Sequence, residues 1–64
     1  MRTKMTLQQR EKELQTLLAT SAGQKELREL ESRYRIASGR ERPPRTSMIT
    51  YILVHEREQG LIIN

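Results

Sequence analysis

Apolar residues stand almost side by side in only one stretch of the sequence, Met48–Val54 (Met-Ile-Thr-Tyr-Ile-Leu-Val). A chain of 64 residues forms one domain at most, and a domain of that size buries only about 60% of the surface that its unfolded chain exposes. Hydrophobic residues make up 34% of this chain, below the roughly 45–50% (with Gly) of typical globular domains. We therefore expect the remaining, more polar segments to pack against this stretch.

The segment before residue 20 has the pattern of an amphipathic helix. Thr6 is followed three residues later by Gln9, which is the form of a capping box at a helix start. The charged residues 10–13 fill the face opposite an apolar stripe, which consists of Leu7, Leu14, Leu17 and Leu18. We predict a helix over residues 7–19, preceded by a frayed N-terminus, residues 1–5.

A second helix is predicted over residues 22–37. Ser21 and Gln24 repeat the capping-box form, and Gly39 suits the left-handed residue that commonly ends a helix. The apolar stripe here consists of Leu27, Leu30, Tyr34 and Ala37, and favourable Glu-to-Arg pairs four residues apart are Glu29–Arg33 and Glu31–Arg35. Because only two or three residues separate the two helices, we expect an antiparallel helical hairpin.

Residues 39–46 are predicted to form a basic loop. Pro43 and Pro44 cannot donate backbone hydrogen bonds, and each disfavours helix in the residue before it. The segment from residue 33 to residue 46 contains five arginines and one glutamate, so it carries a net charge of +4, equal to that of the whole chain. The basic charge of the sequence is thus concentrated at the junction of the second helix and this loop.

The last third of the chain fits two structures. The β-branched and aromatic residues favour a strand over 48–55, which a turn near Gly60 would pair with a strand over 61–64. A helix over 47–59 is favoured instead, because Thr46 and Ser47 are good N-caps, residues 55–59 are helical in composition, and Gly60 suits a helix end. The expected fold is all-α, a small three-helix domain with an apolar tail, residues 60–64; the alternative is α+β with a C-terminal β-hairpin.

The composition provides little for catalysis or for a metal site. The sequence contains no Cys and no Asp, and its single His, His55, lacks the second His that a zinc-protease motif places four residues later. A structural zinc site needs four ligands, and a chain with one His and no Cys is poorly able to supply them. The three glycines are isolated, so no phosphate-binding loop is present. We expect no enzyme activity, no cofactor, no metal and no small-molecule substrate.

The apolar C-terminal third suggests a surface for a protein partner. On a helix, Met48–Val54 presents more apolar surface than the two narrow leucine stripes can cover, and the tail adds more. We predict a non-catalytic interaction module that self-associates or docks on another protein. The predicted contact residues, some of which must instead fill the core, are Met48, Ile49, Ile52, Leu53 and Ile62.

The alternative function is nucleic-acid binding. Arginines on a loop without helical partners are free to contact phosphates, and binding of that kind weakens steeply with salt. The predicted contacts are Arg33, Arg35, Arg40, Arg42 and Arg45. No aromatic residue stands among the loop arginines Arg40, Arg42 and Arg45 to stack on a base. The first twenty residues lack an apolar stretch of signal-peptide length, and no window is long enough to span a membrane, so we expect a cytoplasmic location.

Overall fold

A computed structural model describes residues 4–63 of the chain, and it contains three helices that all pack against one another. Helix α1 spans Leu7–Leu17, α2 spans Ser21–Ser38 and α3 spans Met48–Glu58. The buried hydrophobic residues form one cluster to which every helix contributes: Leu14, Leu27, Ile49, Ile52, Leu53 and Ile62. The predicted all-α class and the three helices are confirmed.

The N-terminus of α1 is capped as the sequence predicts. The Thr6 side chain accepts a hydrogen bond from the Gln9 N–H at 3.2 Å, and the Gln9 side chain accepts one from the Thr6 N–H at 3.0 Å. The helix ends at Leu17, two residues before the predicted end. The Leu18 and Ala19 N–H groups bond three residues back instead of four, which tightens the chain into a turn.

The start of α2 differs from the prediction by one residue. Thr20, not Ser21, is the N-cap: its hydroxyl accepts from the Gly23 N–H at 2.9 Å. The predicted capping box of Ser21 and Gln24 is therefore wrong, and the Gln24 amide instead donates to the Leu18 carbonyl at 2.9 Å. At the other end, Gly39 adopts the predicted left-handed conformation.

Gly23 allows α2 to lie directly against the end of α1. A Cβ atom added at this position would lie 2.0 Å from the Leu17 carbonyl oxygen and 2.8 Å from the Leu17 Cα. Both atoms belong to the backbone, so no side-chain rotation relieves such a clash. The close contact at the helical hairpin therefore requires glycine.

Helix α3 replaces the strand of the alternative β-hairpin. The Ser47 side chain caps its N-terminus by accepting from the Thr50 N–H at 3.1 Å. At its C-terminus the Leu61 N–H donates to the Glu56 carbonyl at 2.8 Å, and the Gly60 N–H donates to the Arg57 carbonyl at 3.1 Å. With Gly60 at a φ of 72°, this is a Schellman motif. It reverses the chain after the helix.

The reversed chain pairs with the segment before α1. The Ile63 N–H donates to the Met5 carbonyl at 2.9 Å, and the Leu7 N–H donates to the Ile63 carbonyl at 2.6 Å, which makes a parallel bridge between Thr6 and Ile63. Met5 is thus hydrogen-bonded, contrary to the predicted frayed segment 1–5, of which residues 1–3 lie outside the described residues. Asn64 of the predicted tail lies outside them too. The pairing carries Ile62 into the core.

Candidate functional site

Four of the five residues predicted to contact a partner lie in the core of the single chain. Ile49, Ile52, Leu53 and Ile62 are buried, and Met48 is partly buried against them. The four buried residues stabilise the fold and offer almost no surface to a partner, which corrects the prediction for them; Met48 keeps some exposed surface. The physical reason is that the first two helices supply enough apolar surface to cover these residues. Besides Leu14 and Leu27, they pack Leu7, Leu17, Leu30 and Tyr34 against this cluster.

Apolar side chains nevertheless remain exposed where the two ends of the chain meet. Met5, Leu61 and Ile63 are 37–54% exposed. Met5 and Leu61 border the same opening of about 220 Å³, and Ile63 is hydrogen-bonded to Met5. We call these three residues the end patch. Val54, half exposed on α3, lies apart from it beside the basic loop.

The structure does not bring all five of the predicted arginines together. Arg42 is partly buried: its Nε donates to the Glu31 carboxylate at 2.8 Å, and its Nη1 donates to the Thr46 carbonyl. Arg40 points the other way, with its Nη2 3.8 Å from the Glu58 carboxylate of α3. The loop is thus fastened to α2 on one side and contacts α3 on the other.

Arg33 and Arg35 lie on different flanks of α2. Glu31 pairs with Arg42 rather than with the predicted Arg35. Arg28, which the sequence analysis left out, precedes Arg35 by seven residues, and this spacing of two helical turns places both on the flank of Glu31. That spacing is the signal that identifies Arg28. We call the set Arg28, Arg35, Arg42 and Arg45 the basic face.

A buried carboxylate connects all three helices. Glu56 of α3 is only 3% exposed and accepts from Arg10 of α1 through two hydrogen bonds of 2.8 Å each. The hydroxyl of Tyr34, on α2, donates to the same carboxylate at 2.6 Å. Arg10 also pairs with Glu13, and the Tyr34 ring stacks on His55 with ring centroids 4.3 Å apart. We call Arg10, Tyr34 and Glu56 the buried network.

The network shifts the pKa of each of its members. Burial raises the pKa of Glu56, but hydrogen bonds from Arg10 and Tyr34 outweigh burial and leave the pKa below its usual value. The hydrogen bond to Glu56 raises the pKa of Arg10. Burial, together with the hydrogen bond to Glu56, raises the pKa of Tyr34 to about 12. The carboxylate is therefore held ionised at neutral pH, with its bonding capacity largely used.

An open groove of about 320 Å³ lies between the loop and α3. Val54 and Tyr51 line it, and the Tyr51 hydroxyl donates to the Arg40 carbonyl at 2.6 Å. The charges at its edge are mixed, since Arg40, Glu41 and Glu58 all line it. Such a lining favours neither an anion nor a cation.

In the described part of the chain the structure shows no candidate metal site and no membrane-spanning helix. Residues 4–63 bring no three His or acidic side chains together as ligands, and none of their helices has the length and apolar character needed to cross a bilayer. Comparisons with models of known protein families, with curated proteins and with solved structures each gave no match. The end patch, the basic face and the buried network are therefore the features of the structure that bear on function.

Proposed function

We propose that the chain is a non-catalytic interaction module that self-associates through the end patch. The observation that supports this is the hydrogen-bonded meeting of the chain ends, which gathers Met5, Leu61 and Ile63 at the surface with each side chain more than a third exposed. Apolar side chains exposed singly need no explanation, whereas a group of them in one place marks a contact surface.

A second copy of the chain is the partner that fits this patch. In a two-fold interface each residue faces a symmetry-related neighbourhood, so charged residues at its centre would meet like charges. The three residues of the end patch are uncharged. Covering them, with the surface around them, would bury about a tenth of the chain's 5091 Å², roughly 500 Å² per partner, which is less than the roughly 800 Å² per partner of a standard interface. Weak association follows, with a Kd between about 1 μM and 1 mM.

The chemistry of the buried network supports a role without catalysis. A general base needs a pKa near the working pH and a free lone pair directed at a substrate. Glu56 has a lowered pKa and three hydrogen-bond donors on its two oxygens. His55 is stacked on Tyr34. The network therefore joins the helices, and its carboxylate is not available to a reaction.

Light scattering across a wide range of protein concentration tests the proposal. We expect the mean molar mass to rise from that of a monomer toward that of a dimer. The rise should move to lower concentration with added salt, because each copy carries a net charge of +4 and salt screens the repulsion between copies.

Matched variants locate the contact. Leu61→Gln combined with Ile63→Gln should weaken association at least tenfold, because it places polar groups in the centre of the interface. Ile36→Gln is the control, since Ile36 is 78% exposed on α2 and lies outside the patch. A mass that stays monomeric at every concentration contradicts the proposal, as does equal weakening by the control.

A further inference from the structure

The hydrogen bonds of Arg42 bring the loop arginines beside those of α2. Its guanidinium bonds Glu31, which lies on α2 between Arg28 and Arg35, three residues after the first and four before the second. Residues three and four apart are neighbours on a helix surface. Arg42 therefore lies within one helical turn of both, and the exposed Arg45 follows it in the Pro43–Thr46 turn.

Most of the chain's excess positive charge lies on this face. It holds four arginines around a single glutamate, in a chain whose net charge is +4. Arg28, Arg35 and Arg45 are exposed, and in the described part of the chain no carboxylate pairs with any of them. Arg42 uses its Nε and Nη1 atoms within the fold, which leaves its Nη2 for a further acceptor.

We propose that the basic face binds the phosphate backbone of a nucleic-acid duplex without reading its base sequence. Arginine is the side chain best suited to this, because its planar guanidinium donates two parallel hydrogen bonds to a phosphate. Arg28 and Arg35 are about 10 Å apart along the helix axis, so they reach different phosphates.

The aromatic residues favour a duplex over a single strand. Proteins that hold single strands stack bases on exposed aromatic rings. The ring of Tyr34 is stacked on His55, and Tyr51 is bonded to the Arg40 carbonyl on the far side of the loop. Without a ring to stack on a base, the basic face is left with phosphates, whose contacts carry no sequence information.

The face lacks what a membrane-binding surface would add. Stable membrane binding usually joins basic residues to an apolar group that inserts into the bilayer. The exposed apolar residue of α2, Ile36, is turned about 100° around the helix from Arg35, so it does not lie among the arginines. A phosphate-rich duplex is the partner that this charge distribution fits.

Fluorescence anisotropy with labelled mixed-sequence DNA and RNA duplexes, at salt from about 50 to about 200 mM, tests the proposal. Each phosphate neutralised contributes about −0.9 to the slope of log K against log salt. Four arginines therefore predict a slope of about −3.6, or roughly a 100-fold loss of affinity across this range. Binding by both duplexes assigns the site to the shared phosphate backbone.

Two double variants with equal charge loss separate the face from net charge. Arg28→Gln with Arg35→Gln should make the slope of log K against log salt less steep by about two. Lys12→Gln with Arg33→Gln, on exposed positions outside the face, should leave it nearly unchanged. Circular dichroism establishes that both variants fold. The proposal is overturned by absent binding at low salt, by equal losses in both variants, or by binding to anionic lipid vesicles but not to either duplex.

Discussion

Replacing Glu56 by glutamine tests whether the buried network holds the three helices together. Glutamine has nearly the same shape as glutamate, so the substitution removes the charge without opening a cavity. It leaves the Arg10 guanidinium beside a neutral amide. The amide N–H groups are donors, so they cannot accept the hydrogen bonds that Arg10 and Tyr34 donate to the carboxylate. The expected effect is loss of stability rather than a change of fold.

The magnitude follows from the contacts that are lost. Hydrogen bonds to charged groups are worth about 1.5–3 kcal/mol each, and breaking a buried ion pair costs about 3–5 kcal/mol. Arg10 keeps its pairing with Glu13 and is partly exposed to water, which reduces that cost. We therefore expect the free energy of unfolding to fall by about 2–4 kcal/mol. The total for a chain of this length is about 3–10 kcal/mol, so the loss is large.

Urea denaturation followed by circular dichroism at 222 nm measures this change, and Glu58→Gln is the matched control. Glu58 lies two residues away on the same helix, but it is exposed and 3.8 Å from Arg40. Its loss should cost less than about 0.5 kcal/mol. A difference between the two variants below about 1 kcal/mol would refute the assigned role of the network.

The pH dependence gives a second readout of the same contact. Because the pKa of Glu56 is lowered in the folded chain, its contribution is present above the unfolded pKa of about 4.3. It is lost as the pH falls through the lower folded pKa. The stability gap between the wild-type chain and Glu56→Gln should therefore close in acid, and a gap that stays constant contradicts the account.

Two further perturbations test the fold. Gly23→Ala should destabilise the chain by about 2 kcal/mol or more in the same urea assay, because a Cβ would lie 2.0 Å from the Leu17 carbonyl oxygen; the gain of about 1 kcal/mol expected at an open helical position would contradict this. The raised pKa of Tyr34, about 12, predicts stability that is full below the unfolded pKa of about 10 and is lost as the pH rises toward 12. Tyr34→Phe should reduce the loss of stability between about pH 10 and pH 12. An unchanged dependence of stability on alkaline pH would rule out the hydrogen bond from Tyr34 to Glu56.

Local signals in the sequence were enough to predict the three helices, with five of their six ends within one residue. Thr6, Ser47, Gly39 and Gly60 act through hydrogen bonds or backbone angles within a few residues, so their effect can be read without the fold. The turn between α1 and α2 depends instead on the approach of two helices at Gly23. A contact of that kind decides the exact boundaries, and no local pattern reports it.

The buried network was missed because charged residues were assigned to the solvent by type. Arg10 falls between Leu7 and Leu14 at spacings of three and four, and Glu56 follows Ile49 by seven and Ile52 by four. Both charges therefore occupy core-facing stripes. Two opposite charges in two such stripes are a signal for a buried pair, and pairing them would have predicted the Arg10–Glu56 contact.

The interface prediction went wrong through an incomplete account of the core. Compared with the leucines of the first two helices alone, Met48–Val54 has a surplus of apolar surface. Tyr34 of α2 adds cover that this comparison undervalued. Pairing of the chain ends at Thr6 and Ile63, which buries Ile62, depends on a contact between residues 57 positions apart. Such long-range pairing has no local sequence pattern.

Light scattering at two salt concentrations, over a dilution series, tests the central proposal most directly. Self-association through the uncharged end patch predicts a dimer that forms at lower protein concentration when salt is raised, because the net charge of +4 is then screened. Leu61→Gln with Ile63→Gln should abolish the salt-promoted rise in mass. A monomeric mass at every concentration, or a dimer that dissociates as salt is added, would contradict the proposal.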